Sequence, residues 1–488
     1  VGQGRIDLVL PDFDTCYRAV SSRDPRFDGR FFTGVSTTGI YCRSICPAQT
    51  PRRENVRFYG SAAAAVAAGF RACRRCRPDT VPGSRQWDAR GDLAGRALRL
   101  IASGAADDGG VAALATMLHV SERHLHRVLV DEVGAGPLAL ARTRRAQTAR
   151  LLLDETSLPM SDVAFAAGFA SVRQFNDTVR EEFGATPTEL RRAVRRAPLA
   201  AEAGTLALRL RHREPYDATL MLDFLDAHAV PGLEQVHDGT FTRAVRGTDG
   251  PVLVSATPAD GHQRVRIGAC GLADVPRIVA ALRRTFDLDA DPTAVDDALG
   301  GDPLLARSVK ARPGLRVPGA PEGFELVIRA LLGQRISVAA ARMSTAKLVA
   351  ECGKPLDASS GLSEDGGPTH GFPAPEALAG AELTHLPGRL AGTVRTVAAS
   401  VADGSLDVEP GVDRDEARAQ LLALHGVGPW TADYVAMRGW GDPDAFPETD
   451  LILRREVERR GADPSRWRPW RAYAAMHLWT MSTEKEPA

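Results

Sequence analysis

The spacing of apolar positions changes several times along the chain, and each change predicts a different kind of element. Over residues 86–195 apolar residues recur at helical spacing almost throughout, the mark of amphipathic helices around one core. From 204 to 270 the pattern alternates instead. Thr205–Arg211, Phe241–Val245, Val252–Val254 and Val265–Ile267 read as strands. Helical spacing returns from residue 275, interrupted by the Gly/Ser/Pro-rich stretch Lys354–Pro375, which reads as a loop. Near the start Gly29–Ser36 is strand-like, Thr37–Gly39 is a turn, and the alanine-rich run Ala62–Ala68 is a short helix. Pro82–Ser84 and the arginine-rich run Arg191–Pro198 are the joints.

The pattern predicts a multidomain chain, mainly α with smaller α+β parts. Its expected divisions are 1–83, 86–197, an antiparallel β/α subdomain over 204–285, and a helical domain over 286–488. With 488 residues, the chain is too long for a single core. Its 61 basic and 61 acidic side chains cancel, but their distribution is uneven. Basic residues outnumber acidic ones two to one over 1–85, balance them over 86–196, and fall behind them beyond. Affinity for a polyanion is therefore expected to be densest at the N-terminal end. Seven cysteines are few for this length, which fits a reducing compartment better than a disulfide framework. No apolar run is long enough to span a bilayer, so the expectation is a cytoplasmic protein with no membrane partner.

Four of the cysteines form two short clusters, Cys42 with Cys46 and Cys73 with Cys76, inside the basic segment. Paired thiols at this spacing suit one tetrahedral zinc ion. Zinc held by four thiolates keeps two net negative charges, an unfavourable thing to place against phosphate. That cost suggests that the site does more than hold a loop together. Cys16 has no partner motif and reads as an ordinary thiol. The segment from Phe31 to Asp79 resembles the N-terminal domain of the Ada adaptive-response regulator. The resemblance implies that Cys42 accepts a methyl group from a DNA methylphosphotriester, with Cys46, Cys73 and Cys76 as the remaining zinc ligands. Arg43, Arg71, Arg74, Arg75 and Arg77 are candidate phosphate contacts.

Between the joints, Val111–Leu118 and Glu122–Val130 read as helix, turn, helix, with Ser121 placed to cap the second. The pattern recurs at Met160–Ala167 and Val172–Phe183, where Gly168 suits a turn of positive φ. A long arginine-rich helix, Leu138–Leu153, joins them. The tandem and its ending, Phe183–Arg192, resemble an AraC-type double helix-turn-helix. This implies that each second helix enters the major groove of double-stranded DNA. Arg123, His124 and Arg127 in the first, and Arg173, Gln174 and Asn176 in the second, are the expected base-facing residues. Activation of transcription by such a domain would also imply RNA polymerase as a partner.

The C-terminal part carries a second chemical signal. Leu424–Gly428 reads as a hairpin between helices, whose glycines Gly426 and Gly428 leave backbone amides open to a phosphate. Thr431 and Ala432 follow, and Asp450 lies further on. From Pro215 to Trp479 the chain resembles helix-hairpin-helix DNA glycosylases of the AlkA 3-methyladenine type. The resemblance implies that Asp450 is catalytic, stabilising positive charge on the sugar as an alkylated base leaves. It also implies that Phe224, Trp430, Tyr434 and Trp479 line the base pocket, where cation–π attraction contributes roughly 1–2 kcal/mol per ring when desolvated.

Two departures from the pattern bear on mechanism. Trp430 stands where lyase-competent relatives carry lysine, so base removal should leave an uncut abasic strand. Gln334 and Arg335 occupy the turn that fills the gap left by the flipped base, and Arg335 replaces an apolar wedge. No cysteine follows Asp450, so no iron–sulfur cluster is expected. No Pro-Cys-His-Arg motif occurs, so reversal of O6-methylguanine is not expected.

Together the segments resemble an Ada–AlkA fusion: a zinc domain with four cysteine ligands, a double helix-turn-helix, and a glycosylase acting on alkylated DNA. The alternative left open is a zinc-dependent transcriptional regulator whose glycosylase fold only binds DNA or damage.

Overall fold

In the computed structural model the described residues are 12–23, 31–46, 48–59, 62–73, 75–76, 89–194, 199, 205–334, 336–357 and 367–483. The chain forms two compact units, 1–93 and 94–488. Among the described residues it is mainly helical with two small sheets, in keeping with the fold class the pattern predicts.

The first unit is built on a four-stranded sheet. Its strands are β1 (Phe32–Val35), β2 (Ile40–Arg43), β3 (Val56–Tyr59) and β4 (Arg71–Ala72), in the order β3-β1-β2-β4. β1 and β2 form an antiparallel hairpin around a turn in which Gly39 has φ +63. β4 instead runs parallel to β2, pairing Ile40 with Arg71 and Tyr41 with Ala72. This pairing sets Cys42 and Cys73, each one residue beyond those pairs, side by side. A helix, Phe13–Ser22, is started by the Asp12 carboxylate and buries Cys16, Ala19 and Val20 against Phe31.

The second unit begins with helices. The two helix-turn-helix pairs are Gly110–Met117 with Glu122–Val133, and Met160–Ala166 with Val172–Phe183. Ser121 and Ser171 cap the second helix of each, accepting from the amides of His124 and Gln174. Gly168 has φ +87, as the turn requires. The long connecting helix runs Pro137–Glu155.

A five-stranded antiparallel sheet follows, made of β5 (Leu206–Arg211), β6 (Glu234–His237), β7 (Thr240–Arg246), β8 (Pro251–Ala259) and β9 (His262–Ile267), in the order β5-β9-β8-β7-β6. β6 is an edge strand whose polar sequence carries no alternation, so the apolar pattern missed it. One buried cluster contains Leu152, Phe175 and Leu190 from the helical part together with Leu208, Val265 and Phe286 from the sheet and the helix behind it. The Glu155–Arg209 ion pair lies at the same junction, with both side chains largely buried. A second core fills the remaining helical part, around Phe324, Val327, Leu331, Val435 and Trp440.

Candidate functional site

The register that aligns β2 with β4 gathers the four cysteines. Their sulfurs all lie within 4.8 Å of one another, and Cys46 Sγ is 3.9 Å from Cys73 Sγ. Cys73 and Cys76 are buried, whereas Cys42 and Cys46 are partly open to solvent. Proton loss is uneven in such a crowd. The Cys42 thiol is pushed up by hydrogen bonding with Cys46 and Cys76, which favours its protonated form, then by burial and by repulsion between neighbouring thiolates. A divalent cation at the centre removes that conflict, and four soft sulfurs at this separation fit tetrahedral zinc. Cys16 lies apart, its thiol pushed up to about 11 by burial and then by Asp12.

Arg43 follows Cys42 but is 4% exposed. Its backbone N–H donates to Cys76 Sγ at 3.4 Å, and its guanidinium donates to the Cys76 carbonyl at 3.4 Å. The side chain expected at a phosphate thus braces the cysteine loop from inside. Arg71 and Arg75 are exposed; Arg74 and Arg77 lie outside the described residues.

On helix Glu122–Val133 Arg123 and Arg127 are exposed, and Arg127 Nη2 sits 3.0 Å from His124 Nδ1. On helix Val172–Phe183 Arg173 and Gln174 are exposed and Asn176 is half-buried. The Leu125 and Phe175 side chains anchor these helices from behind at 0% exposure.

In the C-terminal part a cavity of about 1080 Å³ is lined by Phe224, Gln334, Trp430, Tyr434, Asp450 and Trp479, among others. Asp450 caps helix Leu451–Arg460. Its Oδ1 accepts from the amides of Ile452 and Leu453, both at 3.0 Å. Two tryptophans supply further donors. Trp479 Nε1 donates to Oδ1 at 3.1 Å and Trp430 Nε1 donates to Oδ2 at 2.9 Å. The carboxylate is therefore held by four donors without a cationic partner among them. Trp430 stacks on Tyr434 at 4.9 Å, and Tyr434 meets Trp479 edge-on at 6.4 Å.

The hairpin stands beside this cavity. Gly426 has φ +90, and a Cβ there would lie 2.5 Å from Thr393 Oγ1. Gln334, expected at DNA, turns inward: its Nε2 donates to Thr431 Oγ1 at 2.6 Å and to the Gly426 carbonyl at 3.3 Å. These two bonds tie Gln334 to the hairpin and to the helix after it. Arg335 lies outside the described residues. Its neighbour Ile336 also lines the cavity and is exposed, as are Leu451 and Ile452.

Two lining residues escaped the sequence reading. Arg438, 8% exposed, sits with its guanidinium carbon 4.6 Å from the Phe224 ring centre and 5.2 Å from that of Tyr434. His228 stacks on Phe224 at 4.1 Å, and burial, then Arg438, lowers its pKa to about 4. Each lies four residues after an aromatic it touches, Tyr434 or Phe224, so helical spacing was the available signal.

Family models match three segments: the metal-binding domain of Ada over residues 15–79, a helix-turn-helix domain over 114–193, and the AlkA N-terminal domain over 207–322. A Mycobacterium tuberculosis protein named "Probable bifunctional transcriptional activator/DNA repair enzyme AlkA" is 48% identical over 482 residues, covering 96% of each chain. The Escherichia coli K12 DNA-3-methyladenine glycosylase 2 is 34% identical, covering 55% of this chain and 95% of that protein. The bifunctional transcriptional activator/DNA repair enzyme Ada of the same strain is 34% identical, covering 36% of this chain and 49% of its own length.

Proposed function

The chain belongs to the family of bifunctional transcriptional activator/DNA repair enzymes that join Ada and AlkA segments, and from that premise we propose that it senses and repairs alkylated DNA. The glycosylase part excises alkylated bases of the 3-methyladenine type and leaves the strand uncut. The zinc domain takes a methyl group from a DNA methylphosphotriester and so controls sequence-specific transcriptional activation. The working divisions are 1–83, 86–197, 204–285 and 286–488.

The observation that carries the repair reading is the seating of Asp450 at the aromatic cavity. A carboxylate held by neutral donors keeps its charge for the substrate. As the C1′–N bond breaks, the electron pair leaves with the base, and a base alkylated at a ring nitrogen departs neutral. Positive charge then builds on the sugar, where a fixed carboxylate stabilises it. Water completes the hydrolysis. With tryptophan at 430, no amine from that position adds to the sugar.

In the zinc domain, Cys42 Sγ attacks the methyl carbon. The methyl C–O bond breaks, the phosphodiester leaves as an anion, and a neutral thioether forms. Zinc, when bound by Cys42, Cys46, Cys73 and Cys76, keeps the attacking sulfur deprotonated at neutral pH. Loss of one negative charge from the cluster reduces repulsion from phosphate, so methylation strengthens DNA binding. Arg71 and Arg75 suit phosphate contacts, whereas the buried Arg43 suits bracing. Arg123, His124 and Arg127, with Arg173, Gln174 and Asn176, read the promoter, and activation brings RNA polymerase as a partner in the cytoplasm.

Duplex DNA carrying methylated adenine and a methylphosphotriester tests both halves in one incubation. Free base with an uncut abasic strand, and protein heavier by one methyl group on Cys42, are the expected products. Absence of free base sinks the repair reading, and absence of the adduct sinks the sensing reading.

A further inference from the structure

The cavity holds a feature that a pocket for cationic bases does not need: a permanent cation of its own. Arg438 places its guanidinium beside Phe224 and Tyr434 and donates to the Tyr434 hydroxyl. Its Nε donates to the Pro318 carbonyl at 2.6 Å, and Nη2 reaches the Gly319 carbonyl at 3.4 Å. Guanidinium stays charged at every working pH. Phe224 is further engaged by His228. Two of the four aromatic residues are therefore already satisfied by protein groups, and one of those groups opposes a second positive charge.

Resting on the glycosylase reading, we propose that Arg438 is a specificity-determining residue that favours release of damaged bases carrying no formal charge. The chemistry follows from where the charge goes. Cleavage of the C1′–N bond sends an electron pair to the base. A ring-alkylated base thereby becomes neutral, but an uncharged damaged base, such as hypoxanthine, leaves as an anion until protonated. A fixed guanidinium at the base end stabilises that anion, and Asp450 at the sugar end stabilises the opposite charge. The Arg438–Tyr434 hydrogen bond, the Tyr434–Trp430 stack and the Trp430–Asp450 hydrogen bond join the two ends through direct contacts. Such a pair of opposed charges aids the bond cleavage of a neutral lesion most.

The experiment compares single-turnover release of hypoxanthine and of 3-methyladenine from duplex DNA by the full-length protein, its Arg438→Met variant and its Arg438→Lys variant. In Arg438→Met the release of hypoxanthine falls about tenfold or more relative to that of 3-methyladenine. Arg438→Lys, which keeps the charge, stays closer to the wild-type ratio. An unchanged ratio in Arg438→Met, or a shift the other way, overturns the proposal while the glycosylase reading stands. Wild type that releases neither base overturns both. A second measurement needs no folded variant: inhibition of wild type by a neutral purine and by a permanently cationic N-methylated purine of similar size. Tighter inhibition by the neutral purine is expected, and equal or reversed order overturns the proposal.

Discussion

Replacing Asp450 by asparagine tests the repair chemistry at one atom. The side chain keeps its shape, so Oδ1 still accepts from the Ile452 and Leu453 amides and from Trp479 Nε1. Oδ2 becomes an amide nitrogen, and its hydrogens then face the indole N–H of Trp430, which donates across 2.9 Å in the native carboxylate. Two donors in contact leave one half-buried partner unsatisfied, a loss of about 1 kcal/mol. The helix cap survives, so most of the fold should survive with it.

The charge does not survive. Removing one oriented electrostatic stabiliser from a developing charge costs about 3–4 kcal/mol of transition-state free energy, or 10²–10³ in rate. Single-turnover release of methylated adenine should therefore slow at least a hundredfold, while affinity for a duplex containing an abasic site changes little. The stability loss is read separately by chemical unfolding. If release slows less than tenfold in a folded variant, Asp450 is a helix cap and not the group that meets the sugar.

Three further outcomes follow from the geometry. Gly426→Ala forces a side chain into left-handed backbone and against Thr393; it should cost about 1–3 kcal/mol of stability and weaken DNA binding, and unchanged binding would remove the hairpin from the interface. His477 is fully buried, with Nδ1 2.9 Å from Ser308 Oγ, and burial lowers its pKa to about 4 from 6.5. The unfolded chain therefore binds the proton first, so stability present above pH 6.5 is lost as pH falls towards 4. Between pH 7 and 5 the wild type should lose about 2 kcal/mol more than His477→Gln, and equal pH slopes in urea unfolding would refute this. Glu155→Ala removes one member of the buried pair with Arg209, which should cost about 3 kcal/mol; a loss below about 0.5 kcal/mol in denaturant unfolding would make the junction incidental.

Local features of the sequence were the legible ones. The cap at Ser121 is a short-range hydrogen bond whose two partners lie within three residues, and the structure adds caps of the same kind at Ser171 and Asp450. The cysteine spacing pointed to one cluster, but the means was hidden: a parallel β2–β4 pairing across some thirty residues, which no periodicity reports. The inward turns of Gln334 and Arg43 were equally out of reach. Both residues are polar, and both find their partners through the fold rather than through the chain. Polar side chains read as surface until a distant carbonyl or hydroxyl claims them. Arg438 belongs to the same class.

The core shared by the helix-turn-helix part and the five-stranded sheet changes how the fusion is to be taken apart. Leu152, Phe175 and Leu190 pack in one cluster with Leu208, Val265 and Phe286. A cut between residues 194 and 205 therefore strips apolar surface from both sides, at about 25 cal/mol per Å² of newly exposed area. The helices expected to read a promoter and the sheet beside the glycosylase core are then one folding unit, not two modules on a string. Binding energy collected by the first raises the local concentration of the second on the same DNA. That argues for measuring base excision on the whole chain, since a fragment starting at the sheet would report a damaged core as well as a missing anchor.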